Sequence, residues 1–136
     1  MNTTEDKLPL ILLADDDIEI RTLVRHALEE IPCELIEAED GEAALEQILV
    51  EAPDLVVLDV MMPGLTGWEV CKYIRQRENY DHTLILMLTA VGQEVNSLTA
   101  PLYGADYHLD KPFDLDEMQM VVKKLLKQGR STKGKA

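Results

Sequence analysis

Short strand-like runs alternate along the chain with stretches whose apolar residues return every three or four positions. The runs are Leu10–Ala14, Glu34–Ala38, Leu55–Leu58, Leu84–Leu88 and Tyr107–Leu109. After the first, Ile20, Leu23, Val24, Ala27, Leu28 and Ile31 mark one face of a helix. Asp16 or Asp17 suits its N-cap, and Pro32 ends it. Asp40-Gly41 reads as a turn, and Ala44, Leu45, Ile48 and Leu49 predict a second helix. Leu55–Leu58 shows no alternation, the pattern of a parallel strand buried on both faces. Pro63, Gly64 and Gly67 punctuate a loop over Met61–Gly67, and Val70, Cys71 and Ile74 mark a third helix. A weak fourth helix is expected over Glu94–Leu102, disturbed by Pro101. A fifth follows Phe113, with Asp114 as N-cap and Leu115, Met118, Val122, Leu125 and Leu126 on its apolar face.

Five strand–helix units in succession predict an α/β fold, (βα)5, with a doubly wound five-stranded parallel sheet covered by helices on both faces. The 136 residues are one domain's worth. Residues 1–7 read as a disordered start, 8–128 as the folded domain, and 129–136 as a flexible basic tail or the stump of a linker.

Charge changes the picture in one respect. The net charge is −13, but six Lys or Arg and no acid lie from Lys123 onward, so residues 1–122 carry 7 basic against 26 acidic side chains, or −19. A body so acidic repels nucleic acid, and direct nucleic-acid binding is not expected. Lys123, Lys124 and Lys127 fall in the last turns of the final helix, where cations complement its dipole. No apolar run is long enough to span a membrane, and the start lacks the pattern of a signal peptide, so a cytoplasmic location is expected. Cys33 and Cys71 have no partner at metal-ligand or redox spacing and read as reduced, ordinary cysteines.

The chemistry lies where the strands end. Leu10–Ala14 runs into Asp15, Asp16 and Asp17; Leu55–Leu58 into Asp59; Leu84–Leu88 into Thr89; and the last strand into Lys111-Pro112. In open α/β sheets ligands bind outside the carboxyl ends of the strands, at the switch point, which in the flavodoxin-like order 2-1-3-4-5 lies between strands one and three. Asp15, Asp16 and Asp59 would crowd there. Two carboxylates about 4 Å apart repel by roughly 4 kcal/mol at an effective dielectric of 20. Such a cluster calls for a cation or a proton. Oxygen ligands alone select a hard ion such as Mg²⁺. Asp59 is then a candidate nucleophile able to form an acyl phosphate, with Lys111 and Thr89 placed to neutralise and hydrogen-bond phosphoryl oxygens.

The segments LILLADDDIEIR, DLVVLDVMMPGLTGWEV, LILMLTA, GAD and KPF together resemble the response-regulator receiver domain, the CheY-like family, over about Leu8 to Lys127. The resemblance implies that Asp59 is the phosphoacceptor and that Asp15 and Asp16 hold the metal together with Asp59 and the backbone carbonyl of Met61. It implies that Thr89 is the switch hydroxyl and Lys111 the phosphate-binding lysine, with a cis Lys111-Pro112 bond. The metal would be Mg²⁺, with Mn²⁺ as the alternative. The donor would be a phosphohistidine on a sensor histidine kinase or phosphotransfer protein. Without phosphate the Thr89 hydroxyl is expected to be free. With it, Thr89 moves inward and the face made by the fourth helix, fifth strand and fifth helix changes, to control an unknown output partner. The chain would act as a monomer or as a dimer formed on phosphorylation. It would catalyse only its own phosphoryl transfer and dephosphorylation and would not be a turnover enzyme.

Three departures bear on that reading. The family's switch aromatic falls on His108, preceded by Tyr107; a histidine there is either a switch residue sensitive to pH or an ordinary edge-strand residue. Pro101 interrupts the fourth helix. Met61 and Val91 are apolar where polar side chains in relatives help position the hydrolytic water, so slow self-dephosphorylation is expected. An alternative is a small phosphatase resembling the haloacid dehalogenase family, but that chemistry wants a second Asp two residues after the nucleophile, where Met61 stands. A third reading, an adaptor that has lost phosphorylation, sits poorly with all five key side chains being present. No Gly-rich phosphate loop supports nucleotide binding.

Overall fold

A computed structural model of the chain describes residues 7–90 and 104–129. In chain order the elements are β1 (Leu10–Ala14), α1 (Ile18–Leu28), β2 (Glu34–Ala38), α2 (Gly41–Glu51), β3 (Leu55–Asp59), α3 (Gly67–Arg75), a 3-10 turn (Glu78–Tyr80), β4 (Leu84–Thr89), β5 (Tyr107–Asp110) and α4 (Leu115–Gln128). The strands form one parallel sheet, as the sequence pattern predicts, in the flavodoxin-like order β2-β1-β3-β4-β5. The expected helix over Glu94–Leu102, with Pro101 and Val91, lies outside the described residues, as do most of the two terminal segments.

Side chains alternate across the sheet, so each strand feeds two cores. Ile11, Leu13, Leu55, Val57, Leu86 and Leu88 face α1 and α4, where Val24, Ala27, Met118, Val121 and Val122 complete one apolar layer. Leu12, Val56, Leu58, Ile85 and Met87 face the other side and pack with Ile48 of α2 and with Val70, Cys71 and Ile74 of α3. All of β3 is buried because it lies at the centre of the sheet between the two helical layers. The edge strands β2 and β5 are only partly buried. Neither cysteine forms a disulfide.

The helices begin where side chains satisfy their first amides. Asp17, not Asp16, caps α1, accepting from the Glu19 amide. Asp40 is the N-cap of α2 and accepts from Ala43, so Asp40-Gly41 is a helix start and not an isolated turn. Thr66 with Glu69, and Asp114 with Glu117, form reciprocal capping boxes at α3 and α4. On α4, Leu115 is exposed, and Val121 takes the buried place beside Met118, Val122 and Leu125.

Candidate functional site

The acidic run after β1 divides its labour. Asp15 extends the ladder through its amide to the Ala38 carbonyl at 3.2 Å and is fully buried. Its Oδ1 accepts from the Asp17 amide at 2.9 Å. Asp16 is exposed beside it, and Asp17 turns away to cap α1. A residue the sequence reading passed over fixes this corner. Arg21 is 8% exposed on α1, and its Nη1 donates to the Asp15 carbonyl at 2.7 Å. Its Nε donates to Glu37 of β2 at 3.1 Å, and Glu37 also receives Arg25. Arg25 first, then Arg21, holds the Glu37 carboxyl below the usual range despite partial burial. The sequence signal for Arg21 was an arginine beside the apolar stripe of α1.

Asp59 is the last residue of β3 and is 4% exposed. The chain leaves it through Val60, whose amide donates to Leu88 and whose carbonyl receives the Gly67 amide at 2.8 Å. Gly67 packs directly on the end of β3: a Cβ there would lie 2.3 Å from the Asp59 carbonyl oxygen. Glycine is therefore required by space at this point.

Lys111 reaches the site from the loop after the edge strand β5. Its amide donates to the Thr89 carbonyl at 2.6 Å, and the Lys111-Pro112 bond is cis, as the resemblance implied. Its Nζ lies 3.0 Å from Asp15 Oδ2 and 3.0 Å from Asp59 Oδ1. One amine between two buried acids does not balance them. Burial first, and then repulsion from Asp15, pushes the Asp59 carboxyl up to about 6 against the pull of Lys111. Burial also raises Asp15, opposed by the Asp17 amide and Lys111. Burial pulls the Lys111 ammonium down, but its bonds to Asp59 and Asp15 outweigh that and leave it raised.

Carboxylate oxygens of Asp15, Asp16 and Asp59 lie within 4.8 Å of one another. Three carboxylates against the one Lys111 ammonium leave two negative charges, which a single dication neutralises. The donors are all hard oxygens, so the set fits Mg²⁺ or Mn²⁺ better than a soft ion. Met61, two residues past Asp59, has an exposed side chain.

Thr89 ends β4 and is buried, but its hydroxyl is not free as expected. It donates to Asp110 Oδ1 at 2.8 Å, across the β4–β5 register pair Thr89↔Asp110. Nothing in the sequence pairs Asp110 with Thr89; only the fold sets this carboxylate opposite that residue. His108 is half-buried on the edge strand β5, its ring centroid 6.4 Å from that of Tyr107.

The order of the sheet and the acid–lysine pocket at its carboxyl rim define a small α/β receiver of the flavodoxin-like kind. A profile of the response regulator receiver domain matches residues 11–123, and the chain belongs to that family. It is 43% identical over 118 residues to the alkaline phosphatase synthesis transcriptional regulatory protein PhoP of Bacillus subtilis, covering 87% of this chain and 48% of that protein. It is 38% identical over 121 residues to the DNA-binding dual master transcriptional regulator RpaA of Synechocystis, covering 89% of this chain and 50% of that protein. The chain thus spans about half the length of these curated relatives. Among solved structures, the chemotaxis response regulator CheY4 of Vibrio cholerae superposes with a TM-score of 0.79 at 32% identity, covering 88% of this chain and 99% of that one. The receiver domain of Francisella response regulator 1452 gives 0.79 at 34% identity, covering 88% and 98%. The expectation that nucleic acid is not a partner finds no support in relatives named as DNA-binding regulators. None of the described helices is long and apolar enough to cross a membrane.

Proposed function

We propose that this receiver domain is a phosphorylation switch in which Asp59 is the acceptor. The observation that carries the reading is the Lys111 ammonium held 3.0 Å from Asp59 inside a cluster of three carboxylates. An Asp59 oxygen attacks the phosphorus of a phosphohistidine on a sensor histidine kinase or phosphotransfer protein. The O–P bond forms as the N–P bond breaks, and the departing imidazole nitrogen keeps the electron pair and takes up a proton. Lys111 neutralises charge on the transferring group, and the low exposure of Asp59 and Asp15 keeps water from screening that attraction. Asp15, Asp16, Asp59 and the Met61 carbonyl would hold Mg²⁺, which when bound supplies electrostatic stabilisation of the phosphoryl oxygens. The Thr89 hydroxyl hydrogen-bonds the product acyl phosphate, and His108 on the neighbouring strand shifts with it. The surface around β5 and α4 then presents a different face to an output partner.

In this reading the chain works on itself alone and turns over no separate substrate. It acts in the cytoplasm, as a monomer or as a dimer formed on phosphorylation. The test is incubation with acetyl phosphate and Mg²⁺ followed by intact-mass measurement. The wild-type chain is expected to gain one acid-labile phosphoryl group and Asp59→Asn none. Retention of that group by Asp59→Asn would overturn the assignment. Repeated release of phosphate from a generic ester would restore the phosphatase reading.

A further inference from the structure

We propose that Asp110 is a latch that holds the switch hydroxyl of Thr89 in the unphosphorylated state, an inference that rests on the function proposed above. The geometry begins with a single proton. A carboxylate accepts only, so in the 2.8 Å contact the Thr89 hydroxyl is the donor and Asp110 Oδ1 the acceptor. A threonine hydroxyl has one hydrogen to give. While Asp110 holds it, no phosphoryl oxygen on Asp59 receives it. The two acceptors are mutually exclusive, and that exclusion turns a hydrogen bond into a two-state element.

The surroundings favour a bond that is well made yet releasable. Thr89 is 1% exposed, so water competes poorly for its hydroxyl. The Lys111 amide bonds the Thr89 carbonyl at 2.6 Å and fixes the two strand ends side by side. Asp110 is exposed, so its carboxylate stays hydrated when the hydroxyl leaves, and release strands no buried charge. Asp110 also immediately precedes Lys111. One two-residue segment therefore carries both the amine that binds Asp59 and the carboxylate that withholds Thr89.

A latch of this kind opposes phosphorylation, and its removal shifts the population toward the accepting state. The experiment is a double-mutant cycle on the rate of phosphorylation by acetyl phosphate with saturating Mg²⁺. Asp110→Ala is expected to raise the rate by about tenfold, the weight of one charge-assisted hydrogen bond. Asp110→Asn keeps an acceptor oxygen, so its gain is expected to be smaller. In a Thr89→Ala background, Asp110→Ala is expected to change the rate by less than about twofold, because the proton in contention is gone. A gain of equal size in that background would show that Asp110 acts by its charge alone and would overturn the latch. So would wild-type rates in both Asp110 variants while their thermal melts show them folded. If the wild-type chain itself takes no phosphate, the acceptor assignment falls and the latch with it. A wild type that is phosphorylated beside an unresponsive cycle removes the latch only.

Discussion

Lys111 Nζ lies 3.0 Å from Asp59 Oδ1, joining the loop after the edge strand β5 to the end of the central strand β3. The same ammonium is 3.0 Å from Asp15, so one cation serves two buried carboxylates 44 residues apart in sequence (59 − 15). Most of the chemistry expected of this domain follows from that imbalance.

Lys111→Ala removes the amine and leaves the carboxylates facing one another. The metal-free fold is expected to lose on the order of 2 kcal/mol, less than the roughly 3–5 kcal/mol for breaking a fully buried ion pair because the lysine keeps some exposure. Denaturant unfolding in chelator measures the loss. Millimolar Mg²⁺ is expected to recover part of it, since a dication answers the same excess charge. A variant as stable as wild type in chelator would contradict the account.

In the proposed switch Mg²⁺ is expected to bind the folded cluster and not the dispersed carboxylates of the unfolded chain. At a concentration about a hundred times the Kd, linkage gives about 2.7 kcal/mol. For a domain of this size that is a rise in Tm of roughly 6–10 °C. Asp15→Asn is expected to reduce the rise. Melting curves that coincide with and without the ion would remove the metal site.

The raised Asp59 pKa sets a pH dependence of definite sign. Its folded value of about 6 exceeds the unfolded 3.8, so between those values the folded chain holds the extra proton. That contribution is fully present below 3.8 and is lost as pH rises through 6. Asp59→Asn does not titrate. Relative to wild type in chelator, it is expected to gain about 2.4 kcal/mol on going from pH 4 to pH 7.5. Parallel urea unfolding at the two pH values reads this difference, and a stability gap that stays constant would count against the shift.

Gly67→Ala places a Cβ 2.3 Å from the Asp59 carbonyl oxygen, and backbone rather than a flexible side chain must give way. A cost of about 2 kcal/mol is expected from overpacking alone. Because the strain falls on the acceptor residue itself, phosphorylation by acetyl phosphate should slow beyond what partial unfolding accounts for. Crystals of the variant with Asp59 unmoved would refute this.

Slow loss of the phosphoryl group is expected because the residue two after the proposed acceptor is the exposed Met61, which has no strong hydrogen-bonding atom with which to orient water. Met61→Asn is expected to shorten the lifetime of the phosphoprotein. Following the decay after removal of the donor decides the matter, and a wild-type half-life of seconds would end the proposal.

Much of this molecule is written in local pattern. The apolar run Leu55–Leu58 fits a strand buried on both faces, and it is one. Asp114 announced the start of the last helix, because a cap is a local signal, and the structure adds Glu117 as its capping-box partner. The strand-end residues Asp15, Asp59 and Lys111 were legible as a set once a parallel sheet was expected, since such a sheet gathers its carboxyl ends at one rim. Burial of Arg21 was not legible. Its charge argues for solvent, and only the approach of Glu37 and the Asp15 carbonyl makes an interior place favourable. The partner of Thr89 was equally hidden. Composition names a hydroxyl and a carboxylate 21 positions apart, and the register of β4 on β5 makes them a 2.8 Å pair. Residue type and spacing determined which groups are present at the rim. Strand register and packing decided which of them touch, because hydrogen bonds act over about 3 Å and that distance is set by contacts remote in the chain.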